Sequence, residues 1–243
     1  MRRAFKCAGV LLLCACVCLA LCGFIGCRSH GAEPAGPVTL EFSLRLDPQV
    51  YAQSHYKKPP QFAIWIEDPK CGQIRTVWVT EKTGAGSWGG EIVRPVSLPY
   101  WASRWQKETG RSGDPTPDNP AADAVTGATP KQDFTCRTEV PVATKWNYFI
   151  EVNVSGDFND SFAAVSKDGK KDRNGNGQPS IVYKGQITAL PGQCSEPRLI
   201  GRTDQFEGVN SIISDLEGIS DAKDLFSKIE ITAEYELRTQ NEE

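Results

Sequence analysis

The stretch that decides the fold class is Gln61-Phe62-Ala63-Ile64-Trp65-Ile66-Glu67-Asp68-Pro69-Lys70-Cys71-Gly72-Gln73-Ile74-Arg75-Thr76-Val77-Trp78-Val79. Phe62, Ile64 and Ile66 recur at every second residue, the spacing at which strand side chains return to one face of a sheet. Asp68-Pro69-Lys70-Cys71-Gly72 then supplies turn chemistry: proline presets φ, aspartate bonds its own backbone, and glycine admits positive φ. Ile74 to Val79 resumes an extended, β-branched and aromatic run, so residues 61–81 are expected to form a β-hairpin with Trp65 and Trp78 in the core.

Outward from the hairpin the same period recurs. Val38, Leu40, Phe42, Leu44 and Leu46 alternate with polar residues, and further strands are expected over Phe134 to Val140, Asn147 to Val154, Ser180 to Ile187 and Lys228 to Leu237. Helical spacing is sparse, confined to Leu98 to Glu108 and to Val209 to Phe226, where Gly218 interrupts it. Short alternating strands between turn clusters predict a mainly β chain, an antiparallel β-sandwich of immunoglobulin-like type with one long loop and one or two short helices. The long loop, Gly110 to Pro130, exceeds an ordinary connection, and ordered loops of that length often carry function; disorder is the alternative.

The other end of the chain is an address. Six of the nine cysteines, Cys7, Cys14, Cys16, Cys18, Cys22 and Cys27, crowd into an apolar run headed by Arg2, Arg3 and Lys6. That is the layout of an export signal, with a membrane span as the competing reading. Phe24-Ile25-Gly26-Cys27 resembles a bacterial lipoprotein signal, in which a small residue precedes the cysteine that is lipidated. The expected organisation is a signal peptide over 1–26, a tether over 27–37 lipidated at Cys27, and a single sandwich domain over 38–243. Only Cys71, Cys136 and Cys194 remain for the fold, enough for at most one bridge, in any of three pairings.

Composition narrows the function. A formal net charge of −3 with no basic run leaves no concentrated positive face for phosphates, which sets nucleic acid aside. His30 and His55, the only histidines, argue against a histidine-rich zinc or haem site, and no metal-ligating set is assigned. Gly84-Ala85-Gly86-Ser87-Trp88-Gly89 satisfies G-x-G-x-x-G but lacks the following helix that a dinucleotide needs, and is read as a glycine-rich surface loop. Asp172-Arg173-Asn174-Gly175-Asn176-Gly177 places oxygen ligands at alternate positions as a calcium loop does. An EF-hand needs glutamate at the twelfth position, where Tyr183 stands, so a hydrated turn is the simpler reading. Trp101 and Trp105, four apart, would share one helix face, either packed on the sandwich or offered as a stacking platform for a ring-shaped ligand.

The most distinctive element is Asp123-Ala124-Val125-Thr126-Gly127-Ala128-Thr129-Pro130. It resembles the acceptor sequence of extracytoplasmic flavin transferases, which attach flavin mononucleotide (FMN) through a phosphoester to the last threonine of an Asp-x-x-Ser/Thr-Gly-Ala-Thr motif. The resemblance implies Thr129 as acceptor, with Asp123, Thr126, Gly127 and Ala128 shaping the loop. The alternative is a structural turn into the next strand.

Lys58 to Asp68, the partner strand Ile74 to Val79, Asp123 to Thr129 and Tyr148-Phe149-Ile150-Glu151-Val152-Asn153 together resemble domain-of-unknown-function family 2271, predicted periplasmic proteins. The resemblance covers residues 38–155 and implies an exported β-sandwich whose relatives are often encoded near flavin transferases and membrane redox proteins. The functional expectation is a lipid-anchored protein of the bacterial cell envelope, facing the periplasm or exterior, that serves a flavin-dependent redox system. It would act as carrier of covalent FMN or as partner of a flavinylated protein. A non-redox structural or binding lipoprotein is the alternative; no catalytic residues are assigned, because no nucleophile and histidine pair is apparent.

Overall fold

The structure, a computed structural model, describes residues 36–52, 60–87, 97–121, 125–127, 132–172, 175–206 and 211–235. Cys27, Asp123, Ala128 and Thr129 lie outside the described residues. In chain order the elements are β1 (Val38–Leu46), α1 (Pro48–Ala52), β2 (Gln61–Glu67), β3 (Ile74–Thr80), α2 (Glu81–Ala85), α3 (Pro99–Thr109), β4 (Val125–Gly127) and β5 (Phe134–Val140). There follow β6 (Lys145–Asn153), β7 (Ile181–Thr188), β8 (Cys194–Ser195), β9 (Arg198–Arg202), α4 (Asp221–Asp224) and β10 (Phe226–Tyr235).

Two sheets result, a four-stranded one in the order β5-β1-β10-β8 and a six-stranded one in the order β4-β3-β2-β6-β7-β9. The protein is a mainly β, antiparallel sandwich, as the alternation predicts, with one departure: β4 runs parallel to β3 at the edge of the larger sheet. The hairpin forms as its residues dictate. Asp68 Oδ1 accepts the Lys70 N–H at 2.7 Å, and Gly72, at φ +71°, donates its N–H to the Asp68 carbonyl at 2.8 Å.

Each face of the larger sheet has its own core. Phe62, Ile64, Trp78, Tyr148 and Ile150 face the smaller sheet and meet Leu40, Phe42, Leu44 and Ile231. Phe62 sits edge-on to Phe134 and Phe226, ring centroids 5.5 and 5.7 Å away. The opposite face holds Ala63, Trp65, Val79, Phe149 and Val182, covered by Leu98, Trp101 and Trp105 of the α3 region. The alternation in β2 therefore separates two buried faces, and every residue from Gln61 to Ile66 is buried.

One expectation is corrected. Of the span Val209 to Phe226, the described residues 211–226 do not form one helix: Ile213 exchanges both backbone hydrogen bonds with Arg202 at 2.8 and 2.9 Å, and only Asp221–Asp224 is helical among them. Gly201 has no room for a side chain beside Ile212 and Ile213, so the 212–213 segment is held extended against β9, and Gly218, at φ +78°, turns the chain before α4. Cys71, Cys136 and Cys194 are all free thiols, and burial pushes the Cys136 thiol far above its usual range. Among the described residues no helix is long and apolar enough to cross a membrane.

Candidate functional site

Thr126 and Gly127 are the two residues of the acceptor-like motif that the structure describes among those predicted to act, and they belong to β4. In register, Val125 lies opposite Trp78, Thr126 opposite Val79 and Gly127 opposite Thr80. β4 thus forms one edge of the larger sheet. The Trp78 indole N–H beside it is buried and has no hydrogen-bond partner.

The chain reaches β4 through the first part of the long loop, which is tied down. Gln106 Nε2 donates to the Gly113 carbonyl at 3.1 Å, Arg111 to the Pro120 carbonyl at 3.2 Å, and Thr116 and Asn119 exchange backbone bonds. Ala121 N–H then bonds the Gly84 carbonyl at 2.7 Å, fastening the loop to α2. Behind α2, the hydroxyls of Thr80 and Thr83 both donate to Gln61 Oε1, at 2.7 and 3.0 Å. Gly84 is buried and precedes the left-handed Gly86, so over its described residues, 84–87, the glycine-rich stretch is an anchor rather than a surface loop.

Gly86 makes that anchor. Its φ is +62°, and a methyl group there would overlap the Pro115 carbonyl and lie 2.6 Å from the Thr116 α-carbon, backbone atoms that cannot swing aside. Gly86→Ala is expected to cost about 2 kcal/mol in urea denaturation, from left-handed strain and displacement of the loop. A variant as stable as the parent would mean that residues 110–121 are not held against α2.

α3 covers the sheet face next to β4 and is fixed at both ends by carboxylates. At its C-terminal end Glu108 accepts the Thr76 N–H at 2.9 Å and the Thr76 hydroxyl at 2.7 Å, while Trp101 Nε1 donates to the same hydroxyl oxygen at 3.2 Å. At its N-terminal end Glu151 of β6 accepts the Tyr100 N–H at 3.2 Å and the Trp101 N–H at 2.6 Å, donors that no helical turn precedes. Ser180 also donates to Glu151, at 2.6 Å. Glu151 is 0% exposed, and burial pushes its carboxyl up to about 7 against the opposing pull of these donors and of Arg104.

On the same face Trp65 and Phe149 stack at 5.1 Å, and Arg104 lies 4.1 Å over the Tyr100 ring while pairing with Glu67 at 3.1 Å. Trp101 and Trp105 are 0% and 2% exposed, so of their two readings the structure supports packing on the sheet. Glu151 had escaped the sequence reading because a polar residue in an alternating strand is ordinarily read as facing water.

A second buried polar centre lies where β6 runs out. Asp157 Oδ1 accepts the Gln178 N–H at 2.9 Å, and Gln178 Nε2 donates to the Asp157 carbonyl and the Ser220 hydroxyl, each at 2.8 Å. Asn153 Nδ2 holds the Gln178 carbonyl at 2.8 Å. Burial pushes the Asp157 carboxyl up to about 7. Among the described residues, no group of three or more His, Cys, Asp or Glu side chains gathers into a metal-binding set.

The hydroxyl and carboxylate paired at the first centre, Ser180 and Glu151, are only 1% and 0% exposed, whereas β4 stands at an edge of the larger sheet. No family model, no curated protein and no solved structure matches the chain.

Proposed function

We propose that the protein is a lipid-anchored β-sandwich of the bacterial cell envelope that serves a flavin-dependent redox system by carrying FMN as a phosphoester on Thr129. Anchoring is through lipid on Cys27, and the partners are a flavin transferase and a membrane redox protein. The observation that carries the reading is the position of β4. A transferase has to take the acceptor segment into its own active site, and a three-residue strand paired on one side at a sheet edge is more readily surrendered than a central one.

The surroundings of β4 suit the group. The adjoining α2 carries the cation Lys82, of the right sign for a phosphate. FMN, once attached, would supply reversible electron transfer; the chain contributes the acceptor hydroxyl, two residues beyond β4 in sequence. Attachment requires the Thr129 hydroxyl oxygen to bond the flavin-side phosphorus of a flavin dinucleotide. The P–O–P bond breaks, the second nucleotide leaves as a monophosphate, and the hydroxyl proton passes to the transferase.

Intact mass of the mature protein coexpressed with a flavin transferase tests this. One FMN addition is expected, lost in Thr129→Ala without loss of fold. An unmodified, colourless parent that copurifies with a flavinylated protein would instead favour the partner role. A colourless parent that retains its function as Thr129→Ala would favour a non-redox envelope lipoprotein.

A further inference from the structure

Asp172 to Gly177 carries the oxygen spacing of a calcium loop, with glycine at the sixth position, yet chain order supplies no carboxylate at the twelfth. The fold brings one from elsewhere. Asp172 Oδ1 accepts the Gly175 N–H at 2.8 Å and Asp172 Oδ2 the Gly177 N–H at 3.0 Å, which ties both glycines to that carboxylate. The segment after β6 is drawn against the turn by two bonds, Gly156 N–H to the Asn176 carbonyl at 3.1 Å and Gln178 N–H to Asp157 Oδ1 at 2.9 Å. The approach is so close that a methyl group on Gly177 would overlap the Asp157 carboxylate.

Two oxygens at this junction are left over. Asp157 Oδ2 and Asn176 Oδ1 are both buried and neither has a hydrogen-bond donor, although Asp157 is only 5% exposed. Buried acceptors in folded proteins are nearly always satisfied, and a buried carboxylate oxygen is the costliest kind to leave bare. The charges around Asp157 do not relieve it: besides burial and backbone N–H groups, the neighbour that acts on it is Asp221, which repels.

We propose that Asp157, Asp172 and Asn176 form a binding site for a hard divalent cation, with calcium as the ion it suits. Two carboxylates and an amide oxygen, without histidine or cysteine, are ligands for an oxygen-seeking ion. Calcium accepts irregular geometry and fills its remaining positions with water, whereas magnesium demands a near-ideal octahedron. Asp157, from the neighbouring segment, takes the part that the twelfth residue plays in an EF-hand.

The test is calorimetric titration of the full chain, purified in detergent and stripped with chelator, using calcium chloride, with thermal unfolding in parallel. One calcium per chain is expected, with Kd on the order of 10⁻⁴ M as in extracellular calcium modules, and a higher Tm when it is bound. Asp157→Asn should weaken binding at least tenfold while melting no lower than the parent in chelator, because the bare buried charge is gone; that control separates a lost ligand from a lost fold. Absence of both heat and Tm shift at millimolar calcium would overturn the proposal, and would mean that a proton or a rotated Asn176 amide satisfies the two oxygens. Undiminished binding in Asp157→Asn would overturn it too, and an equal response to magnesium chloride would overturn the choice of calcium.

Discussion

Glu151→Ala is expected to lower stability by about 4 kcal/mol, one of the two largest effects of a single substitution anticipated in this fold. The substitution strips acceptors from the Tyr100 and Trp101 amides and the Ser180 hydroxyl, and leaves a void between β6 and α3. Glu151→Gln keeps one acceptor oxygen and most of the volume, and Ser180 can turn its hydroxyl to accept from the new amide while donating to Thr203, 2.7 Å away. Its cost is about 1 kcal/mol at low pH. The pH dependence separates the two further. The Glu151 carboxyl has its pKa raised from 4.5 to about 7 by burial, so between those values the folded chain holds a proton that the unfolded chain has released.

The stabilisation that comes from that proton is complete below about pH 4.5 and lost as pH rises through about 7, up to roughly 3 kcal/mol. Urea denaturation at pH 5 and pH 8 should show this decline in the parent and a smaller one in Glu151→Gln, where only Asp157, likewise raised by burial to about 7, still contributes. If alanine and glutamine variants were equally stable, the carboxylate would not be what holds the helix end.

Trp101→Ala should cost about as much, roughly 4 kcal/mol, by opening a cavity in the core between α3 and the larger sheet. The side chain is fully buried, packs against Trp105 at 6.4 Å and donates its indole N–H to Thr76. Trp101→Phe fills most of the space and loses only the hydrogen bond, for about 1 to 2 kcal/mol. Denaturation midpoints of the two variants check the ranking. The comparison also bears on the binding alternative: a stacking platform would lose ligand affinity on truncation with its fold intact, whereas a buried tryptophan loses the fold first. An alanine variant with the parent's midpoint would detach α3 from the core.

What could be read in advance follows from periodicity. β1, β2, β3, β5 and β10 were legible because period two survives wherever one face meets the sandwich core, and Phe42 or Ile64 announces that face regardless of what lies behind it. The reverse face was legible only in part. Trp65 was expected in the core as a large apolar strand residue, whereas Ala63 and Phe149 are buried because α3 lies over them, and nothing local to β2 or β6 encodes that helix's position. Glu151 and Asp157 were missed for the same reason, since a carboxylate in chain order looks alike whether it ends in water or beneath a helix. The apolar spacing of Val209 to Phe226 misled because Ile212 and Ile213 are spent against Gly201, a packing requirement of β9. For the acceptor-like motif the sequence offers a pattern, and the fold adds that Thr126 and Gly127 stand on an edge.

The pairing of β1 with β10 has a kinetic consequence. Val38 lies opposite Tyr235 and Leu46 opposite Phe226, so the centre of the smaller sheet joins the first described strand to the last. β1 cannot gain that neighbour until β10, the last described strand, has been delivered, and closing so long a loop makes such pairings slow to form. A polypeptide that completes its central strand pair late stays threadable while it is being made, and commits to its native form only when β10 arrives.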